Sequence, residues 1–309
     1  MMAQRSVEVV FAKKPINCIY TLPSTNEVES TTPALIFTHG AGGTLQSEAV
    51  ANFVDGFISS PSKSSIICFQ GNMNLESRAK MFTAVINSGS EQPELEITTS
   101  PQCLGGRSMG ARAAVMAITE ETTHLVLISY PLHTDKETRD QILLDLPEFM
   151  KVIFVSGEHD TMCDLKRLED VRKKMTCKTW RVVVQAADHG MNIKPKAATQ
   201  EMGKATGRVV ANWLASSDDN LREGWIIWDA ENEITQWSGW SSKRQDLETP
   251  KNEMAGSLSE EASKSKPKAR SQAEKPKRKA SSRKRNRVVV DVNPTNDDIK
   301  LPSRKRRKT

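Results

Sequence analysis

No stretch of this 309-residue chain approaches the roughly 18–20 consecutive apolar residues that a membrane-crossing helix needs. Residues 1–14 also lack the apolar run behind a basic start that marks a secretory signal. Cysteine is scarce. Cys18, Cys68, Cys103, Cys163 and Cys177 are odd in number and show no CxxC or CxxxH spacing, which argues against a disulfide framework and against a zinc site. There is no cluster of metal-ligating residues, no glycine-rich phosphate loop and no repeat of solenoid period, so no cofactor, metal or repeat architecture is expected. These absences describe a soluble, intracellular protein with free thiols and no membrane contact.

Acidic residues are what the C-terminal stretch lacks. After residue 242, 21 Lys and Arg stand against 9 Asp and Glu, a net of +12; the residues before it hold 23 basic and 29 acidic groups, a net of −6. The formal +6 is therefore a mildly acidic globule joined to a basic tail, and an anionic partner is expected for the tail rather than for the core.

What is present is an alternation of short apolar runs with helical patterns up to about residue 216. Residues 7–11, 16–22, 34–38, 65–69, 124–129, 152–156 and 180–184 read as strands. Apolar spacing predicts helices over 49–58, 75–88, 109–119, 165–175 and 199–214, and a mostly helical connection over 134–149. Buried-type strands alternating with helices imply an α/β fold with a mainly parallel, doubly covered sheet. No connection is long enough for a large lid, so an open site is expected. The character changes after Ser216. The expected division is a domain over 1–216, a Trp-rich extension over 217–245 and a disordered basic tail over 246–309, too poor in apolar surface to offset the entropy of ordering.

The chemistry concentrates in Gly105-Gly106-Arg107-Ser108-Met109-Gly110-Ala111. Gly106-x-Ser108-x-Gly110 has the form of a nucleophile elbow, a strand-to-helix turn that exposes a serine between glycines. A serine hydroxyl needs a base, and the base needs a carboxylate to hold its tautomer. Downstream, the strand over 152–156 ends in Gly157-Glu158-His159-Asp160, and the strand over 180–184 is followed by Ala187-Asp188-His189-Gly190. Asp160 and His189 thus fall in loops at strand C-terminal ends, where sites of parallel sheets lie, and Ser108, Asp160, His189 have the chain order of an α/β hydrolase. Oxyanion donors are expected from the Met109 amide and from Ala41 or Gly42 in the loop His39-Gly40-Ala41-Gly42-Gly43; each such donor is worth about 2.7–4 kcal/mol in comparable enzymes. His39, Arg107, Tyr130 and His133 are candidates for the pocket wall, although His39 also reads as a loop-shaping residue and Arg107 and Arg112 as ion-paired or solvated. The plain alternative for Ser108 is an ordinary helix N-cap. The segment 98–104, with Pro101 among polar residues, makes a poor central strand, so the strand before the elbow is expected to be very short or the elbow displaced.

His39-Gly40-Ala41-Gly42, Gly105-Gly106-Arg107-Ser108-Met109-Gly110, Tyr130-Pro131-Leu132-His133 and Gly157-x-x-Asp160 together resemble one α/β-hydrolase family. It includes small bacterial hydrolases, testis-expressed hydrolase-like proteins and a subunit of the NSL histone-acetyltransferase complex. The resemblance covers about residues 30–216. It implies a lid-poor α/β-hydrolase fold with Ser108, Asp160 and His189 in the triad positions, acting on an unidentified small acyl substrate, or else a hydrolase-like scaffold in a nuclear complex.

Two further segments suggest partners. Trp225, Trp228, Trp237 and Trp240 form either a hairpin packed on the domain, turning at 229–233, or a protein-docking motif, since clustered tryptophans make binding hot spots. In the tail, Lys275-Pro276-Lys277-Arg278-Lys279, Arg283-Lys284-Arg285-Asn286-Arg287 and Arg304-Lys305-Arg306-Arg307-Lys308 read as docking signals for a nuclear-import receptor. They predict residence in the nucleus, or in nucleus and cytoplasm, with weak, salt-sensitive nucleic-acid contact. No aromatic is interleaved, so base stacking is not expected. The run over 288–292, followed by Asp297 and Asp298, resembles a SUMO-interacting motif.

Overall fold

The computed structural model describes residues 3–23, 34–91 and 103–242. The three basic clusters, the run over 288–292 and residues 98–102 ahead of the elbow lie outside the described residues.

Strands form where aliphatic and β-branched residues run together, and the alternation of their side chains divides the core into two layers. Among the described residues one sheet holds β1 (Ala3–Val9), β2 (Ile16–Leu22), β3 (Leu35–Thr38), β4 (Ile66–Phe69), β5 (Cys103–Arg107), β6 (His124–Ile128), β7 (Lys151–Gly157), β8 (Lys178–Val184), β9 (Glu223–Asp229) and β10 (Ile234–Trp237). Their order is β1-β2-β4-β3-β5-β6-β7-β8-β9-β10. The strands from β4 to β9 in that order are parallel, and β1, β2 and β10 add antiparallel edges.

In β6 and β7, Leu125, Leu127, Val152 and Phe154 enter one layer, while Val126, Ile128, Ile153 and Val155 enter the other. The first layer is covered by α2 (Leu75–Glu91), α3 (Met109–Met116), α4 (Gln141–Leu144) and α5 (Leu165–Arg172); the second by α1 (Glu48–Ile58) and α6 (Lys196–Ala215). Burying a side chain such as Phe154 contributes about 1.5–3 kcal/mol, and a sheet covered on both faces needs such residues at every central position.

The structure departs from the sequence expectation in particular places. β1 begins at Ala3 and stops at Val9, because pairing Ala3 with Leu22 and Val9 with Ile16 extends it through polar residues that apolar patterning does not mark. The helix expected over 109–119 ends at Met116. The connection over 134–149 is not mostly helical: it contains only the four-residue α4. The Thr134 hydroxyl accepts from the Lys136 and Glu137 amides, a local bond that competes with a helical turn.

The strand before Ser108 is short, five residues from Cys103 to Arg107, and it runs directly into the elbow without displacement. Gly105 and Gly106, which read as turn residues, lie inside β5 opposite Val126 and Leu127. A Cβ on Gly106 would stand 2.4 Å from the Gly110 carbonyl carbon, so α3 can lie this close only over bare backbone. Within the segment over 217–245, the described residues 217–242 carry the sheet onward, with β9 parallel to β8 and turning back into β10. Trp228, Trp237 and Trp240 pack against the second layer, with Trp237 and Trp240 edge to face at 5.1 Å. Trp225 is half-buried on the alternate side of β9.

Candidate active site

β5 delivers the chain to Ser108 and α3 departs from it. At this junction Ser108 takes φ 52° and ψ −116°, a region that L-residues rarely enter. Such strain costs on the order of 1–3 kcal/mol and persists where the surroundings impose it; here the Ser108 amide donates to the Ile128 carbonyl at 2.9 Å. Ser108 holds the N-cap position of α3, yet its hydroxyl makes no cap bond. Its Oγ instead lies 2.9 Å from His189 Nε2.

Asp160 follows β7 and His189 follows β8. The parallel register that pairs Gly157 with Val184 sets the two loops side by side. His189 Nδ1 stands 2.9 Å from both Asp160 carboxylate oxygens. An ionised carboxylate only accepts, so the imidazole carries its proton on Nδ1 and offers the Nε2 lone pair to the serine hydroxyl. The Asp160 side chain is fully buried and also accepts the Met162 amide at 2.8 Å, whereas the His189 side chain is 22% exposed. The arrangement can take a proton from Ser108, hold the imidazolium that results, and return the proton to a leaving group.

Among the expected oxyanion donors, Met109 opens α3, where amides lack intrahelical acceptors. Neither the Met109 nor the Ala41 amide has an acceptor among the described residues. Gly42 differs: its amide donates to Met73 Sδ at 3.0 Å, which takes it out of the set of free donors. Gly40 packs directly on the serine, since a Cβ there would stand 3.3 Å from Ser108 Cβ.

A family profile described as an alpha/beta hydrolase domain matches residues 31–216. The chain belongs to the α/β-hydrolase family. Its fold is similar to that of Est1E from Butyrivibrio proteoclasticus (TM-score 0.54, 12% identity, 68% of this chain and 99% of that one). It is similar also to a dienelactone hydrolase from Anabaena variabilis (TM-score 0.54, 14% identity, 69% and 97%) and to an alpha-beta serine hydrolase homologue from Coxiella burnetii (TM-score 0.52, 14% identity, 67% and 97%). At such identities the likeness is one of fold. In this α/β hydrolase no inserted lid stands between the strands among the described residues.

The four candidates for the pocket wall have other partners. Tyr130 is fully buried against Phe154, and its hydroxyl donates to the Arg139 carbonyl at 2.9 Å; burial raises its pKa. His133 braces the loop after Asp160, its Nε2 accepting the Asp164 amide at 3.1 Å. His39 is buried beneath its own loop: Nε2 accepts the Gly71 amide at 3.0 Å, so Nδ1 carries the proton and donates to the Gly40 carbonyl at 2.7 Å. Burial lowers its pKa, as does the nearby Arg78 cation, against the raising effect of the Gly40 and Gly71 bonds.

Arg107 makes no ion pair among the described residues and is half-buried. It reaches across to donate to the His189 carbonyl at 2.5 Å and so fixes the histidine loop from below. Burial pulls its pKa down, while Asp160 and Asp188 oppose that pull. Asp188 shapes the same loop, accepting the Asn192 amide at 2.8 Å. His159 is exposed beside Asp160.

Sequence reasoning passed over Arg78. It is fully buried, donates through Nη1 to the His39 carbonyl at 2.5 Å and through Nε to the Asn72 carbonyl at 2.8 Å, and makes no ion pair among the described residues. Burial lowers its pKa to about 10. A signal was there. Leu75, Arg78, Ala79, Phe82, Val85 and Ile86 follow helical spacing, and a lone cation inside an apolar stripe is out of place unless something buried needs it.

Proposed function

We propose that the protein is a serine hydrolase that cleaves a small ester, thioester or amide through an acyl-Ser108 intermediate. Ser108 Oγ attacks the substrate carbonyl carbon while its proton passes to His189 Nε2. Asp160 holds the imidazolium through Nδ1–H. The carbonyl oxygen gathers negative charge facing the Met109 and Ala41 amides. His189 then protonates the leaving group as the carbonyl carbon–leaving group bond breaks. A water repeats the attack on the acyl-serine, giving its proton to His189, which passes it to Ser108 Oγ as the acyl carbon–Oγ bond breaks and the carboxylic acid is released.

The single observation that carries this reading is the 2.9 Å contact between Ser108 Oγ and His189 Nε2, with Nδ1 of the same ring on the buried Asp160. A fluorophosphonate probe tests it: Oγ–phosphorus bond formation expels fluoride, and the serine proton goes to His189. Wild type is expected to label and Ser108→Ala to stay unlabelled. A folded wild type that resists the probe would instead favour a non-catalytic, hydrolase-like scaffold of a nuclear complex.

The reading extends to the tail. Its three basic clusters are proposed to bind an import receptor and bring the hydrolase into the nucleus, with weak contact to nucleic acid. Fluorescent fusions with and without residues 262–309 decide it, since equal cytoplasmic signal from both would remove the proposal.

A further inference from the structure

The hydrolytic reading leaves open what fixes the loop that carries the Ala41 amide. That loop is short, exposed at Ala41, and contains three glycines, Gly40, Gly42 and Gly43. Left to itself, such a backbone would sample many peptide orientations. In a trans peptide the C=O and the following N–H point in opposite directions. The direction of the amides at residues 40 and 41 is therefore set by whatever holds the carbonyls of residues 39 and 40.

Both carbonyls are held from beneath, and by the same cation. Arg78 Nη1 donates to the His39 carbonyl at 2.5 Å and lies 3.4 Å from the Gly40 carbonyl. His39 Nδ1 takes the Gly40 carbonyl at 2.7 Å. The other side of the guanidinium, through Nε and Nη2, grips the Asn72 carbonyl, which anchors the fork to the turn that opens α2. With two successive carbonyls turned inward, the Gly40 and Ala41 amides face the opposite way. Gly40 itself lies against Ser108, since a Cβ there would stand 3.3 Å from Ser108 Cβ, which puts this loop beside the serine. Successive amides directed to one side make an anion-binding concavity.

We propose that Arg78 is a positioning residue for the reaction at Ser108. Its fork locks the His39 and Gly40 carbonyls inward so that the Ala41 amide, together with that of Met109, meets the developing oxyanion. The fork suits this role because it binds several acceptors in one fixed geometry, which an ammonium group does not. It does so with no carboxylate paired to it among the described residues, so none of their acidic side chains neutralises the positive charge under the loop. Such a charge favours an anion above the loop.

The inference rests on Ser108 being the nucleophile, and the test separates the two. The full chain is labelled with a fluorophosphonate across a pH series, with melting followed in parallel. Arg78→Met is expected to lower the plateau labelling rate by about tenfold to a hundredfold, somewhat less than deletion of a donor. The acid-limb midpoint should stay in place. A loosened fold would move the midpoint as well as the plateau. If Arg78→Met does not fold, Arg78→Lys keeps a cation under the loop but lacks the fork, and a several-fold lower plateau at an unchanged midpoint is expected. A folded variant labelling at the wild-type rate, or with a displaced midpoint, overturns the positioning role alone. Absence of labelling in wild type overturns the hydrolase reading and this inference with it.

Discussion

Toward the end of the sheet away from Ser108, two buried arginines meet two glutamates; beside Ser108, a buried arginine meets only carbonyl oxygens. Arg172 on α5 pairs with Glu223 at 2.7 Å and Glu169 at 2.9 Å, and Arg181 on β8 pairs with Glu223 at 2.8 Å and Glu169 at 3.6 Å. That cluster ties α5 and the start of β9 to β8, and its charges cancel. Arg78 is as deeply buried, but Asn72, His39 and Gly40 offer it only dipoles. Removing a cation from water costs several kcal/mol, and carbonyls return less of that cost than a carboxylate does. The difference separates two uses of a buried charge. Where the cation only joins elements, an acid accompanies it. Where, as proposed at Ser108, negative charge is to develop nearby, an acid would cancel the field that favours it.

The largest effect expected from breaking this division is at the nucleophile. Ser108→Ala should remove hydrolysis of a small chromogenic ester by roughly 10⁴-fold or more and leave the melting temperature close to that of wild type, because alanine keeps the Cβ and the backbone at φ 52° and gives up only the hydroxyl bond to His189. A marked loss of stability in that variant would mean that the serine end serves the fold, contrary to the comparison.

Next in size is the opposite end. Glu223→Ala strips both Arg172 and Arg181 of their nearest carboxylate, and breaking a buried pair from one side costs about 3–5 kcal/mol. Stability measured by urea unfolding should fall by that amount, while the labelling rate of the folded fraction at Ser108 is unchanged. A slowed labelling rate at full folding would tie the two ends together and blur the distinction.

The sequence made the Ser108–Asp160–His189 set legible because parallel strands carry their chemistry at their C-terminal ends, and β7 and β8 are apolar enough to be located by eye. It made β9 and β10 legible only as a choice between hairpin and docking motif, since alternating tryptophans fit both until the pairing of Val183 with Trp225 is seen. Gly105 and Gly106 misled because glycine weakens an isolated strand, and the reason for bare backbone there is a helix packed against it. Tyr130 and His133 were placed at the pocket wall from their position after β6, but side-chain direction is decided by tertiary partners, Arg139 and Asp164, that local sequence does not contain. The same holds for Gly42, whose amide is taken by a methionine 31 residues away.

The smallest expected effect concerns protons. His39 lies between the Gly71 amide and the Gly40 carbonyl, and a second ring proton would point at an N–H donor and add a positive charge near Arg78. The folded protein therefore resists that proton, with burial as the leading cause, and the His39 pKa is depressed. The unfolded chain accepts the proton near the ordinary histidine value of about 6.5. The contribution to stability is thus complete above that pH and is lost as pH falls through it toward the folded value. His124, whose pKa is lowered first by burial and then by Lys151, adds a slope of the same sign. The free energy of unfolding, followed by urea titration across pH, should accordingly decline between about pH 7.5 and pH 5.5, with a slope below about 1.4 kcal/mol per pH unit for each histidine. His39→Asn places an amide nitrogen near the Nδ1 position without titrating, and should flatten the decline in part, leaving the share due to His124. An undiminished slope in His39→Asn would mean that the loop beside Ser108 tolerates a second cation, and that the absence of an acid next to Arg78 has no electrostatic consequence.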